Sequence, residues 1–205
     1  MKNIKLIIFD VDGVLIDSKK NMQLSWEKLC KKNNIDVKFE RYFENIGISF
    51  DKILNRLKIF HKQKYLEKNY FLNSKKFASK IKPYNRTNSV LNYLQNKYIL
   101  SIITSKNKKN TKIFLKKFFP KIQFSLICTP SNKLRSKPHP DLFNYTFKKL
   151  KISRKNSIFI GDTFHDLKAS KNARTNFILA KYGYNNNKIN FKKSINNISE
   201  LRKYL

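Results

Sequence analysis

A chain of 205 residues with 40% apolar side chains, among them 17 Phe and 10 Tyr, has material for one sizeable hydrophobic core plus a small insertion, and its composition excludes disorder. The net charge of +32 attracts anions in general, yet the Lys-rich stretches Lys106 to Lys112 and Lys148 to Lys155 lack the interleaved aromatics that stack bases. They read as solvated helix faces or loops, and no specific nucleic acid is expected as a partner.

Along the chain, Ile4 to Phe9 is a nearly continuous apolar and β-branched run, the pattern of a strand buried on both faces of a parallel sheet. Tyr98 to Ile103, Phe124 to Ile127, Ser157 to Ile160 and Asn176 to Ala180 read the same way. Helical patterns separate them at Ser89 to Asn96, Lys109 to Phe118, Asp141 to Leu150 and Asp166 to Asn172. Strands alternating with helices predict an α/β fold, a doubly wound (Rossmann-like) five-stranded parallel sheet with its site at the carboxyl ends of the strands.

From about Asp17 to Lys82 only helix-like periodicity is present, as in Met22, Trp26, Leu29 and Ile53, Leu57. That stretch is predicted to be an inserted all-helical cap (17–82), with the core formed by 1–16 and 83–205. Ile198 to Leu205 reads as a short packing helix and Asn185 to Asn190 as a loop. Cys30 and Cys128 belong to no disulfide or metal-binding spacing. No apolar run approaches the roughly 20 residues of a membrane span. A cytoplasmic protein without a membrane partner, monomer or homodimer, is expected.

Acidic residues number only 13, yet four follow two of the predicted strands: Asp10 and Asp12 after the first, Asp162 and Asp166 after the fourth. In a doubly wound sheet those strand ends can be neighbours. Converging carboxylates repel and need a cation, and an all-oxygen donor set favours a hard one, Mg²⁺.

Phe9-Asp10-Val11-Asp12-Gly13-Val14-Leu15-Ile16-Asp17-Ser18 and Ile160-Gly161-Asp162-Thr163-Phe164-His165-Asp166 resemble the first and fourth motifs of the haloacid dehalogenase superfamily. Ile103-Thr104-Ser105-Lys106 is similar to its second motif and Lys137-Pro138-His139-Pro140 to its third, in the same order.

The resemblance implies that Asp10 is the nucleophile and forms an aspartyl-phosphate. It implies that Asp12 is the general acid and base, with its backbone carbonyl a metal ligand, and that Asp162 binds Mg²⁺ while Asp166 acts through water or orients its neighbours. Thr104 through its hydroxyl, Ser105 through its N–H, and Lys137 would hold the phosphoryl oxygens, and Gly13 would let backbone N–H groups approach them. An acid at Asp12 is absent from the dehalogenases, which favours phosphoester chemistry.

A helical cap directly after the first motif resembles the branch containing phosphoglycolate phosphatase, pyrophosphatase-like enzymes and β-phosphoglucomutase. The expected activity is a phosphatase of small phosphorylated metabolites, phosphoglycolate-type or sugar phosphates. The alternatives are a phosphoryl transferase on the same fold and a basic nucleic-acid-binding protein. Gly47-Ile48-Ser49 is followed by Phe50 where the mutases carry Arg, and Gly161 stands where they carry Glu. Phe50, Lys52 and Arg56 are candidates to face the substrate, Trp26 reads as buried, and His165 as an exposed residue at a helix start. Arg174 occupies a position where a glycine usually closes the helix.

Overall fold

In the computed structural model, which describes residues 3–184 and 189–205, the first apolar run is strand β1 (Leu6–Phe9), all four of whose side chains are fully buried. A short strand β2 (Ile16–Asp17) follows, then helices α1 (Lys19–Asn33), α2 (Phe39–Phe43), α3 (Phe50–Arg56) and α4 (Gln63–Lys76), before β3 (Lys82–Pro83) returns to pair antiparallel with β2. The remainder alternates as α5 (Thr87–Gln95), β4 (Ile99–Ile103), α6 (Lys108–Phe118), β5 (Leu126–Cys128), α7 (Asp141–Leu150), β6 (Ser157–Gly161), α8 (Phe164–Asn172), β7 (Asn176–Ala180) and β8 (Ser194–Ile195), ending in a 3₁₀ turn over Ile198–Lys203.

The main sheet is parallel, with strand order β5-β4-β1-β6-β7-β8. It has six strands where the sequence pattern suggested five. The extra one, β8, pairs only through Leu179↔Ser194 and Ala180↔Ile195, too short a segment to leave an apolar run. The C-terminal helix expected over Ile198 to Leu205 is the 3₁₀ turn. Of the loop expected from Asn185 to Asn190, residues 185–188 lie outside the described residues.

The continuity of the apolar run in β1 has a direct cause. Ile7 and Phe9 point to one face of the sheet, where Leu91 and Leu94 of α5 and Phe114 of α6 cover them. Leu6 and Ile8 point to the other, covered by Leu142 and Phe143 of α7 and Leu167 of α8. A strand with helices on both sides has no solvated face and so no polar alternation. Local chemistry adjusts the helix ends: the Asn107 side chain accepts from Lys109 and Asn110 N–H and starts α6, and Thr163 with Asp166 forms a capping box that starts α8 at Phe164.

The segment between β2 and β3 builds a third hydrophobic cluster of its own around Trp26, Tyr42, Phe50, Leu54 and Tyr70. Trp26 is fully buried, stacks on Tyr42 at 4.5 Å and donates its indole N–H to Val37 O at 2.8 Å. Because β2 and β3 pair with each other, the chain leaves and re-enters the core at adjacent points. Cys30 and Cys128 are free and buried, and burial pushes their thiols up to about 12 and about 11. Among the described residues, no helix is long and apolar enough to cross a membrane.

Candidate active site

Strand order brings the distant motifs together. Central β1 lies between β4 and β6, with Phe9 in register with both Ile102 and Ile160, so the residues just past these strands share one edge. Asp10 follows β1, Thr104 follows β4 and Asp162 follows β6; all three are buried. Lys137, which sits before α7, is 0% exposed and places its Nζ 2.9 Å from Asp10 Oδ2 and 2.5 Å from Asp166 Oδ1.

Asp166 is heavily bonded. Its Oδ1 takes Lys137, while its Oδ2 accepts from Thr163 N (2.9 Å), Thr163 Oγ1 (2.6 Å) and Asp162 N (3.2 Å). It thus ties Lys137 to the turn that carries Asp162, and among the described residues its Oδ1 takes no bond but that of Lys137. Asp10 Oδ1 and Asp162 Oδ1, by contrast, are buried and have no hydrogen-bond partner among the described residues. Asp162 Oδ2 accepts the Tyr184 N–H at 2.7 Å.

One carboxylate oxygen from each of Asp10, Asp162 and Asp166 lies within 4.8 Å of the others. Three buried carboxylates against one buried ammonium leave excess negative charge where desolvation is costly. Burial accordingly raises the Asp10 carboxyl to about 6 against the opposing pull of Lys137, and burial together with Asp166 and Asp10 raises Asp162 well above the usual carboxylate range. Burial alone would lower Lys137, but Asp10 and Asp166 reverse this and hold its ammonium above the ordinary lysine value. Clustered buried carboxylates, two of them with an oxygen unpartnered among the described residues, fit a hard divalent cation, which would restore the charge balance.

The glycines around Asp162 are there for space. Gly13 has φ +83°, and a Cβ on it would lie 2.0 Å from Asp162 Oδ2; a Cβ on Gly183 would lie 2.3 Å from Gly13 O. The Gly13 N–H itself donates to Ile16 O at 2.9 Å.

Asp12 stands in a separate network. Its carboxylate takes Lys106 Nζ at 2.9 Å and the Ser18 hydroxyl at 2.5 Å, and Ser18 in turn contacts the Tyr184 hydroxyl at 3.1 Å. Lys106 thus leaves the solvated stretch in which the sequence pattern put it, whereas Lys108, Lys109 and Lys112 are exposed as expected. The Thr104 Oγ1 accepts from Lys106 N at 3.3 Å, and the Ser105 hydroxyl donates to Gly47 O of the insertion at 2.7 Å. Lys106 stood inside the second motif, so its place was the available signal. Ser18 likewise closed the first motif, whereas Gly183 and Tyr184 carried no signal, because their roles depend on folding back across the chain.

A small cavity of about 70 Å³ lies between these residues and the insertion, bounded by Asp10, Asp12, Thr104 and Lys137 on one side and Phe50 on the other. Lys52 lines a different groove. Arg56 is exposed and reaches Asn45 at 3.3 Å and His165 at 3.4 Å. His165 is half-buried rather than exposed, and burial, reinforced by Arg56, pushes its imidazole down to about 4.

The chain matches a family model described as haloacid dehalogenase-like hydrolase over residues 7–180. A phosphoglycolate phosphatase from Aquifex aeolicus is 30% identical over 189 residues, covering 88% of this chain and 86% of its own. The pyrophosphatase PpaX of Oceanobacillus iheyensis is 24% identical over 172 residues, covering 83% and 80%. Among solved structures, a haloacid dehalogenase-like family hydrolase from Streptococcus pneumoniae superposes with a TM-score of 0.84 at 19% identity, over 100% of this chain and 99% of that one.

Proposed function

The chain belongs to the haloacid dehalogenase-like hydrolase family, and from that premise we propose that it is a Mg²⁺-dependent phosphatase of small phosphorylated metabolites, with residues 17–82 acting as a cap over the site. The observation that carries this reading is the pair of buried oxygens Asp10 Oδ1 and Asp162 Oδ1, unpartnered among the described residues, beside the buried Lys137. The names of the relatives, a phosphoglycolate phosphatase and a pyrophosphatase, support phosphoester or phosphoanhydride hydrolysis as the reaction class.

Asp10 and Asp162, with the Asp12 carbonyl, would hold the ion. Bound there, Mg²⁺ would supply charge neutralisation for the carboxylates and the phosphoryl oxygens. A carboxylate oxygen of Asp10 attacks phosphorus and the bond from phosphorus to the ester oxygen breaks. As the general acid, Asp12 gives a proton to the departing alkoxide, which leaves as the alcohol. Asp12, now a carboxylate, takes a proton from water as that water attacks the aspartyl-phosphate, releasing phosphate and restoring Asp10.

Lys137 holds Asp10 in place and neutralises charge on the transferring group, while Asp166 holds Lys137. Thr104 lines the cavity beside Asp10 and supplies a hydroxyl to the phosphoryl group, with the Ser105 N–H next to it. The cap shuts out water. The test is phosphate release from a panel of phosphomonoesters with Mg²⁺, in the wild type and in Asp10→Asn. Release that is abolished by chelation and by the substitution is the expected result; release unchanged in Asp10→Asn sinks the proposal.

A further inference from the structure

The wall that the cap contributes to the cavity is made of carbon and phenol. Met22, Ile48, Phe50 and Ile53 line it together with Tyr42 and Tyr70, whose hydroxyls are hydrogen-bonded to each other at 2.8 Å. No cation comes from this side. Every Lys and Arg between residues 17 and 82 is exposed except the half-buried Lys52. Lys52 lies in a neighbouring groove that shares Phe50 and Phe71 as walls and that holds Asp51 and Glu67 together with Lys106, Lys108 and Arg135. Among the described residues, the cations that reach the cavity are Lys106 and Lys137, which belong to the core and are already paired, with Asp12 and with Asp10 and Asp166.

A leaving group bearing a carboxylate or a second phosphate would put a charge against this apolar wall with no free counter-charge, which is strongly unfavourable. A leaving group small enough to stay within the cavity of about 70 Å³ has its charge against that wall. Two hydroxyls that share one hydrogen bond keep one O–H proton to donate, so the Tyr42–Tyr70 pair can meet a single neutral oxygen.

We infer that the substrate is the monophosphate ester of a small uncharged alcohol, apolar on the side the cap covers and carrying an oxygen within reach of the Tyr42–Tyr70 pair, rather than an ester whose leaving group is itself anionic. This rests on the phosphatase reading above and narrows it. It also separates this chain from the phosphoglycolate and pyrophosphate chemistry after which its relatives are named.

The test is kcat/KM with Mg²⁺ for two matched pairs, phosphoglycolamide against phosphoglycolate and glycerol phosphate against phosphoglycerate. The better neutral ester is expected to exceed both anionic ones by about tenfold or more. A smaller gap, or a preference for either carboxylate, overturns the inference while leaving the phosphatase reading intact. Hydrolysis of none of the four, with no release from any other phosphomonoester, removes the phosphatase reading itself. As a second arm, Phe50→Lys places an ammonium in the cap wall, and the ratio of phosphoglycolate to phosphoglycolamide turnover is expected to rise about tenfold. An unchanged ratio in a folded variant counts against the inference, and the wild-type comparison decides it if the variant does not fold.

Discussion

At the carboxyl ends of β1 and β6 the chain buries Asp10, Asp162, Asp166 and Lys137 side by side, whereas the helical segment 17–82, proposed above as a cap, buries Trp26, Tyr42, Phe50 and Tyr70 and keeps all of its Lys and Arg exposed but for the half-buried Lys52. Both regions are drawn from the same lysine-rich composition, so composition does not account for the difference. Burying a charge is tolerated where paired groups and a cation offset its desolvation, and that is the edge of the sheet where strand order makes separate segments converge. The cap has no such convergence. Its interior is stabilised by apolar area and ring packing, and the surface it turns toward the site inherits that character.

If the two regions divide chemistry from enclosure in this way, substitutions should affect different readouts. Asp10→Asn is expected to lower kcat by on the order of 10³-fold or more, with the circular dichroism spectrum unchanged, because a nucleophile is lost without loss of packing. Retained turnover would erase the distinction. Trp26→Ala removes the ring at the centre of the cap and should lower unfolding free energy by about 3–5 kcal/mol in denaturant titration. A loss of less than about 1 kcal/mol would show that the cap does not depend on its aromatic cluster.

Lys137→Met leaves Asp10 and Asp166 without their buried partner. A destabilisation of about 3–5 kcal/mol in the metal-free protein is expected, together with loss of activity. Trp26→Ala and Lys137→Met therefore resemble each other in stability, and the comparison is sharpened by the dependence on ions. Mg²⁺ at about 100 times its Kd should add about 2.7 kcal/mol and raise Tm in the wild type and in Trp26→Ala, and should add much less in Asp162→Asn. An equal rise in Asp162→Asn would move the ion away from the carboxylates.

The smallest effect concerns neither interior. Arg174 takes φ +54° just after α8, a conformation that costs a side chain energy, so Arg174→Gly should raise stability by about 1 kcal/mol without altering turnover.

Much of this architecture was legible before folding was considered. The continuous apolar runs marked the five longer strands because a strand covered on both faces has no polar alternation. Asp10, Asp12, Asp162 and Asp166 stood out because so few acids occur in the chain and these follow strands. Phe50, in place of an arginine after Gly47-Ile48-Ser49, spoke against a mutase, while Phe50, Lys52 and Arg56 all remained candidates to face the substrate. Two-residue strands such as β2, β3 and β8 left no pattern, since a periodicity needs more residues than they contain.

Tertiary structure alone decided the partners of the acids. The resemblance separated Asp162 from Asp166 by role, but nothing in the order of residues names Lys137 and the Thr163 turn as the groups that Asp166 bonds, or leaves Asp162 with an oxygen that is open among the described residues. The same holds for Gly13, needed for the room it leaves Asp162, and for Lys106, drawn from a basic stretch onto Asp12. Motif and pattern are local properties of the chain. Partnership between groups far apart in it is settled by strand order and by the desolvation of whatever charges that order encloses.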